Sequence, residues 1–94
     1  MPVQPDAKQL VQVFPNPVVN NQFAIQFNRI EPGTYTVQIT DVMGRQVMQR
    51  IVNVKGEDQI ETIRLNPASA RGFYMVAIIG KDNKAVSTTK LVVQ

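Results

Sequence analysis

The stretch Thr34-Tyr35-Thr36-Val37-Gln38-Ile39-Thr40 carries the clearest structural signal in this sequence. Tyr35, Val37 and Ile39 alternate with threonine and glutamine over its whole length. A period of two is typical of a β-strand that has one face in a core and the other in solvent. Antiparallel sheets commonly divide their faces in this way. The stretch therefore predicts a half-buried strand in an all-β protein.

Apolar runs of similar length recur along the chain, with turn signals about every ten residues. The run over residues 46–54 breaks its alternation, which predicts a bulge or an edge position. The run over residues 73–79 is apolar on both parities, which predicts a central strand. We expect Pro15-Asn16-Pro17 to end the first strand, because proline has no N–H to donate to a ladder. The predicted strands cover about residues 9–14, 22–27, 34–40, 46–54, 60–65, 73–79 and 85–93.

Seven short strands without a credible helix predict an antiparallel two-sheet β-sandwich with Ig-like architecture. The Cys-Trp-Cys signature of true immunoglobulin domains is absent. Phe14 and Phe73 are interpreted as core residues, and in the last strand Lys90 marks the outward face that Val92 shares. The inward parity predicts a core of Val13, Phe23, Ile25, Phe27, Tyr35, Val37, Ile39, Ile63, Leu65, Phe73 or Tyr74, Ile78, Leu91 and Val93.

Length and composition indicate one domain. The chain has 94 residues, of which 44% are hydrophobic and 18% charged, as in an ordinary folded protein. Residues 1–8 hold two prolines and few apolar anchors, so we expect a linker remnant there and the domain over residues 9–94. The first residues lack the features of a signal peptide, and we expect either an intracellular protein or a piece of a longer chain. No apolar run is long enough for a membrane span.

Several function classes are disfavoured by composition. The net charge is +3 and the basic residues are scattered, unlike the basic patch of a nucleic-acid binder. The chain has no histidine and no cysteine, which removes the usual zinc ligand sets and Ser-His or Cys-His catalysis. Glu57 and Asp58 share one predicted exposed turn, and residues 81–84 offer too few oxygen ligands for calcium. We expect no enzyme activity, no cofactor and no metal.

The segment from Asp41 to Arg45 is predicted to be a tight turn. An aspartate carboxylate can accept hydrogen bonds from backbone amides two residues on, and Gly44 can adopt the left-handed conformation.

Four short motifs follow one another along the chain: Pro15-Asn16-Pro17, Asp41 followed by Gly44-Arg45, Gly72-Phe73-Tyr74, and a final Lys90-Leu91-Val92-Val93. In this order and spacing the chain resembles, over nearly its whole length, the C-terminal sorting domain of cargo exported by the type IX secretion system of Bacteroidota (the Por secretion tail family). Two features depart from the family pattern: the polar Ser87-Thr88-Thr89 and the terminal Gln94.

The resemblance implies a non-enzymatic export signal at the C-terminus of a larger cargo protein. Its implied partners are type IX translocon components, a sortase-like protease at the cell surface and the N-terminal cargo domain. Its implied destination is the cell surface or medium, by way of the periplasm. The family-motif residues, which are also the candidate recognition residues, are Pro15, Asn16, Pro17, Asp41, Gly44, Arg45, Gly72, Tyr74, Lys90, Leu91, Val92 and Val93.

Two other functions fit a sandwich fold, because such folds host many functions. One is an Ig-like adhesion or glycan-binding module, although the absence of tryptophan and the inward parity of both tyrosines give little exposed aromatic surface for a sugar. The other is a structural spacer, which should work in mid-chain as well as at a C-terminus. The motif residues could also serve folding alone, with recognition acting through the surface that they shape.

Overall fold

The computed structural model describes residues 10–66 and 71–94. The linker predicted over residues 1–8 lies outside the described residues, as do Gln9 and residues 67–70. Within the described ranges the chain is all-β, and none of its segments forms a helix that could span a membrane. The seven strands are β1 (Val11–Val19), β2 (Gln22–Phe27), β3 (Gly33–Asp41), β4 (Gln46–Val54), β5 (Gln59–Arg64), β6 (Gly72–Ile79) and β7 (Ala85–Val93).

The strands form one sheet in the order β4-β3-β6-β7-β1-β2-β5. The division into two separate sheets that the sequence predicts is not confirmed, and the expectation of purely antiparallel pairing is wrong. The first and last strands run parallel to each other, with Val18 opposite Val93, whereas the other neighbours are antiparallel. The sheet is therefore mixed, and β1 joins its two parts.

β1 changes partner along its length. Residues 11–14 pair with β2, the register then shifts, and Val18 pairs with β7. The prediction that Pro15-Asn16-Pro17 ends the strand is wrong, because the extended backbone continues to Val19. The two prolines do remove N–H donors from the ladder, and the chain crosses from one partner to the other at that point. The peptide bonds that precede Pro15 and Pro17 are both cis.

The two edge strands of the sheet, β4 and β5, are connected by side chains. Arg50 Nη1 on β4 donates to the Thr62 carbonyl at 3.2 Å, and Gln59 Nε2 on β5 donates to the Asn53 carbonyl at 2.9 Å. These bonds bring the sheet close to closure. The bulge or edge position predicted for the fourth strand is confirmed on both counts, because its register shifts opposite Ile39 and Thr40.

One core is enclosed by all seven strands. Apart from Phe14 and Phe73, the predicted core residues are buried except Val13, which is partly buried, and Tyr74 rather than Phe73 faces inward. The assignment of Phe14 and Phe73 to the core is wrong, since they are 42% and 50% exposed. Phe73 precedes the buried Tyr74, and consecutive strand residues point to opposite faces of the sheet. The largest fully buried side chains are Phe23, Phe27, Ile25, Ile39, Ile63, Ile78, Leu91, Val18, Val37 and Val76.

Candidate functional site

The motifs that are far apart in sequence lie side by side in the sheet. Asp41 at the end of β3 is opposite Tyr74 on β6, and Tyr74 is opposite Leu91 on β7. Asn16 on β1 bonds to the backbone on both sides of Leu91. Each of the four motifs thus contributes one residue to a continuous row across four strands. We call the row of Asn16, Leu91, Tyr74 and Asp41 the motif belt.

Asp41 organises the turn at one end of the motif belt. Its Oδ1 accepts from the N–H groups of Met43 and Arg45, each at 2.9 Å, and its Oδ2 accepts from Arg45 Nε at 2.9 Å. Gly44 adopts a φ of +83°, in the left-handed region that favours glycine. The turn geometry predicted for Asp41 and Gly44 is confirmed, and Arg45 is held by Asp41 while its side chain stays 77% exposed.

The pKa of Asp41 lies below its ordinary value. The main cause is the hydrogen bond from the Arg45 N–H; partial burial opposes the shift, and the Met43 N–H and the Arg45 side chain add to it. Donors that face a carboxylate favour its charged form. The turn therefore holds Asp41 as an anion more strongly than water does.

Asn16 forms the other end of the motif belt. Its Nδ2 donates to the Lys90 carbonyl at 2.7 Å, and its Oδ1 accepts from the Val92 N–H at 3.0 Å. Pro15 and Pro17 flank it and have no N–H to offer to β7. The side chain of Asn16 therefore makes a contact with β7 that the adjoining prolines cannot.

Outward-facing residues beside the motif belt form an exposed apolar surface. Phe73 lies opposite Val92, and Met75 lies opposite Lys90. Lys90 Nζ lies 4.2 Å from the centroid of the Phe73 ring, a favourable cation–π distance. We call Phe73, Met75, Lys90 and Val92 the outer patch. An adjoining pocket of about 270 Å³ is lined by Asp41, Val42, Phe73, Tyr74, Met75 and Lys90.

The remaining motif residues support this arrangement from within. Leu91 and Val93 are buried and Lys90 is exposed, which confirms the predicted parity of the last strand. Gly72 begins β6 opposite Val93. Its φ of +139° is a backbone conformation that residues with a side chain rarely adopt. The final motif thus presents one pair of side chains to the core and the other to the outer patch.

The described residues bring no three acidic side chains together as a metal site would require. In the hairpin that joins β6 to β7, Asp82 Oδ1 accepts from the Lys84 N–H at 3.3 Å. The Gly80 N–H donates to the Lys84 carbonyl at 2.9 Å. Asp82 thus acts in an ordinary turn, whereas two cations are held near the motif belt: Arg45 by Asp41 and Lys90 over the Phe73 ring.

A family model described as the secretion system C-terminal sorting domain matches residues 12–94. The chain belongs to this family. Its domain is the C-terminal sorting signal for type IX secretion of cargo proteins, which are exported to the cell surface or medium. The family is one of sorting signals and not of catalysts. No curated protein and no solved structure is significantly similar to the chain.

The outer patch of the sorting domain is the feature that sequence reasoning missed. Phe73 and Met75 were hidden in a run that is apolar on both parities, and such a run predicts burial on both faces. The signal that could have found them is the parity of the same run: Tyr74, Val76 and Ile78 fill the core, so their neighbours must face outward. Of the outer patch, the sequence alone placed Lys90 and Val92 on an outward face.

Proposed function

We propose that the outer patch of the sorting domain is the surface that the type IX translocon reads. The observation that carries this proposal is that the motifs converge: those on β6 and β7 supply Phe73, Lys90 and Val92, and the motif on β3 lines the adjoining pocket through Asp41. Exposed aromatic and aliphatic side chains grouped in this way are typical of interaction sites.

The chemistry of the outer patch indicates what its partner presents. Phe73 and Met75 are 50% and 40% exposed, so burying them would be favourable. Lys90 is held over the Phe73 ring and adds a positive charge at the same place. An apolar side chain with a nearby carboxylate, carried by the receptor, would match both properties.

The same proposal includes the partners that act before and after export. We propose that translocon components bind this surface after the cargo reaches the periplasm, and that a sortase-like protease at the cell surface then separates cargo from domain. Residues 9–94 form the unit that is recognised, and residues 1–8 link it to the cargo. The domain takes no part in chemistry, in keeping with its family of sorting signals.

Export of a reporter tests the proposed surface. The 94-residue chain is fused to the C-terminus of a periplasmic reporter in a host with a type IX system. Phe73→Ser and Lys90→Ala are compared with Ile60→Ser, which alters an outward residue of β5 that is 57% exposed. We expect Phe73→Ser and Lys90→Ala to reduce the amount of reporter at the surface by at least several-fold, and Ile60→Ser to leave it unchanged.

Melting temperatures of the same variants separate recognition from folding. A change of an exposed side chain that makes no special contact usually shifts stability by no more than about 0.5 kcal/mol, so Ile60→Ser should melt close to the wild type. Lys90→Ala should lose at most the contact with Phe73, about 1 kcal/mol. Normal export of Phe73→Ser and Lys90→Ala would contradict the proposal. So would export defects that follow loss of stability across all three variants, because the outer patch would then be structural only.

A further inference from the structure

The contact between Asn16 and β7 has the pattern of a parallel β-ladder. Val18 lies opposite Val93, an offset of 75 positions that places residue 16 opposite Leu91. In a parallel ladder, a residue donates its N–H to the carbonyl before its opposite number and accepts from the N–H after it. Asn16 does both with its side chain, since Nδ2 donates to the Lys90 carbonyl and Oδ1 accepts from the Val92 N–H.

The side-chain amide of Asn16 therefore takes the place of a peptide group. A primary amide offers one carbonyl acceptor and two N–H donors, so it can supply both the one donor and the one acceptor of a backbone peptide group. The prolines on either side cannot donate to β7. The only residue pair in register between β1 and β7 is Val18 with Val93, as far as the described residues go.

Closer to the start of β1, the two strands do not pair. A cavity of about 280 Å³ lies between them, lined by Leu10, Val11 and residues 86–89. Residues 11–14 pair with β2 alone. The hydrogen bonds and pairing between β1 and β7 are thus concentrated in the last part of β7, at Asn16 and at the Val18–Val93 pair.

We infer that Asn16 is a positioning residue for the recognition surface: its side-chain amide fixes the backbone of Lys90 and Val92, and so sets where the outer patch presents its charge. Both residues that it holds belong to the outer patch, and the Lys90 side chain lies over Phe73. The effect on export rests on the proposed recognition surface, whereas the positioning of β7 does not.

Amide hydrogen exchange on the 94-residue chain tests the positioning. Replacement of Asn16 by alanine removes one net hydrogen bond at Val92, and we expect exchange of its N–H to accelerate roughly tenfold. Amides of β3 should keep their wild-type rates. Asn53→Ala is the matched control. It removes the side-chain amide of an exposed asparagine on the edge strand β4, whose Oδ1 accepts from Thr34 Oγ1 at 3.1 Å and whose sheet neighbour is β3, not β7.

A second variant gives a signature that packing alone would not produce. In Asn16→Asp the ionised carboxylate cannot donate to the Lys90 carbonyl, whereas the protonated acid can donate through its O–H and still accept. We expect the Val92 amide signal and its exchange rate, each relative to the wild type at the same pH, to move back toward the wild type as the pH falls through the pKa of the new carboxyl group. If Asn16→Ala does not fold, this variant decides the question.

Three results would overturn the inference. One is wild-type exchange at Val92 in Asn16→Ala; another is equal acceleration of all amides; the third is an Asn16→Asp variant whose Val92 signal does not depend on pH. In the reporter assay, Asn16→Ala should be exported several-fold less than Asn53→Ala. If the exchange results hold but Asn16→Ala is exported as well as Asn53→Ala, while Phe73→Ser and Lys90→Ala are exported poorly, Asn16 positions β7 without governing recognition, and that part of the inference fails. If Phe73→Ser and Lys90→Ala are also exported normally, the proposed recognition surface fails and the positioning of β7 stands.

Discussion

At the scale of single residues, Asp41 shows how one carboxylate can define a turn. It accepts from two backbone N–H groups and from the Arg45 side chain, and its own N–H donates to the Arg45 carbonyl at 2.9 Å. The guanidinium is largely exposed, and exposed ion pairs contribute little. The backbone donors are therefore the more important part of the network, and they would lose their acceptor if Asp41 were removed.

The lowered pKa of Asp41 makes its contribution to stability depend on pH. The folded pKa is below the unfolded value of about 3.9, so the stabilisation is complete above that value and is lost as pH falls through the folded pKa. We expect the melting temperature of the wild type to exceed that of Asp41→Asn by a constant amount near neutral pH, and the difference to shrink below about pH 4. Thermal unfolding at several pH values measures this.

Asp58→Asn is the matched control for Asp41, because its carboxylate lies 3.9 Å from Arg29 Nε and its side chain is 62% exposed. We expect this change to have little effect at any pH. A difference between the wild type and Asp41→Asn that stays constant down to pH 2 would show that the charge of Asp41 is not what stabilises the turn.

At the scale of elements, alternate residues of β7 pack in the core and contribute to the outer patch. Leu91→Ala removes a side chain that is 0% exposed, and we expect the free energy of unfolding to fall by roughly 2–5 kcal/mol. Lys90→Ala alters the outward face and should cost less than about 0.5 kcal/mol, or up to about 1 kcal/mol if its contact with Phe73 counts in full. Urea unfolding separates the two. Similar losses for both variants would contradict the division of faces in β7.

Alternation along the strands was enough to predict seven elements and most of the core, because the period of side chains reports which face is buried. It could not predict which strands are neighbours. The order β4-β3-β6-β7-β1-β2-β5 and the parallel contact of β1 with β7 depend on pairing between distant residues. The role of Asn16 was equally hidden, since the two prolines indicated a strand end and gave no sign that a side chain would substitute for the backbone.

At the scale of the whole molecule, the backbone hydrogen bonds nearly divide the sheet into two groups of strands, whereas the packed core does not. The ladder is nearly interrupted between β7 and β1, where a single residue pair joins the group β4-β3-β6-β7 to the group β1-β2-β5. The buried side chains of both groups nevertheless form one core. Packing therefore couples the two groups that the ladder almost separates.

A shared core predicts that the domain unfolds in one cooperative step. We expect denaturant midpoints followed at amides of β2 and of β3 to coincide, as in a two-state transition. Residue-resolved NMR across a urea titration makes the comparison. An earlier midpoint for β2 would show that the group β1-β2-β5 opens by itself and that the contact through Asn16 and Val18 is weaker than the core suggests.

The adjacency of β1 and β7 has a consequence for the order of events during synthesis and delivery. The first strand of the domain finds its second neighbour only in the last strand, 75 positions further along the chain. A chain that emerges from its N-terminal end cannot assemble the outer patch until residues 90–93 have arrived, because these residues complete both the sheet and the charged surface. A cargo protein cut short before β7 would leave β1 and β6 each with an open edge. A complete outer patch would then be present only on chains that have been synthesised through β7, and therefore through the whole of the cargo that precedes it.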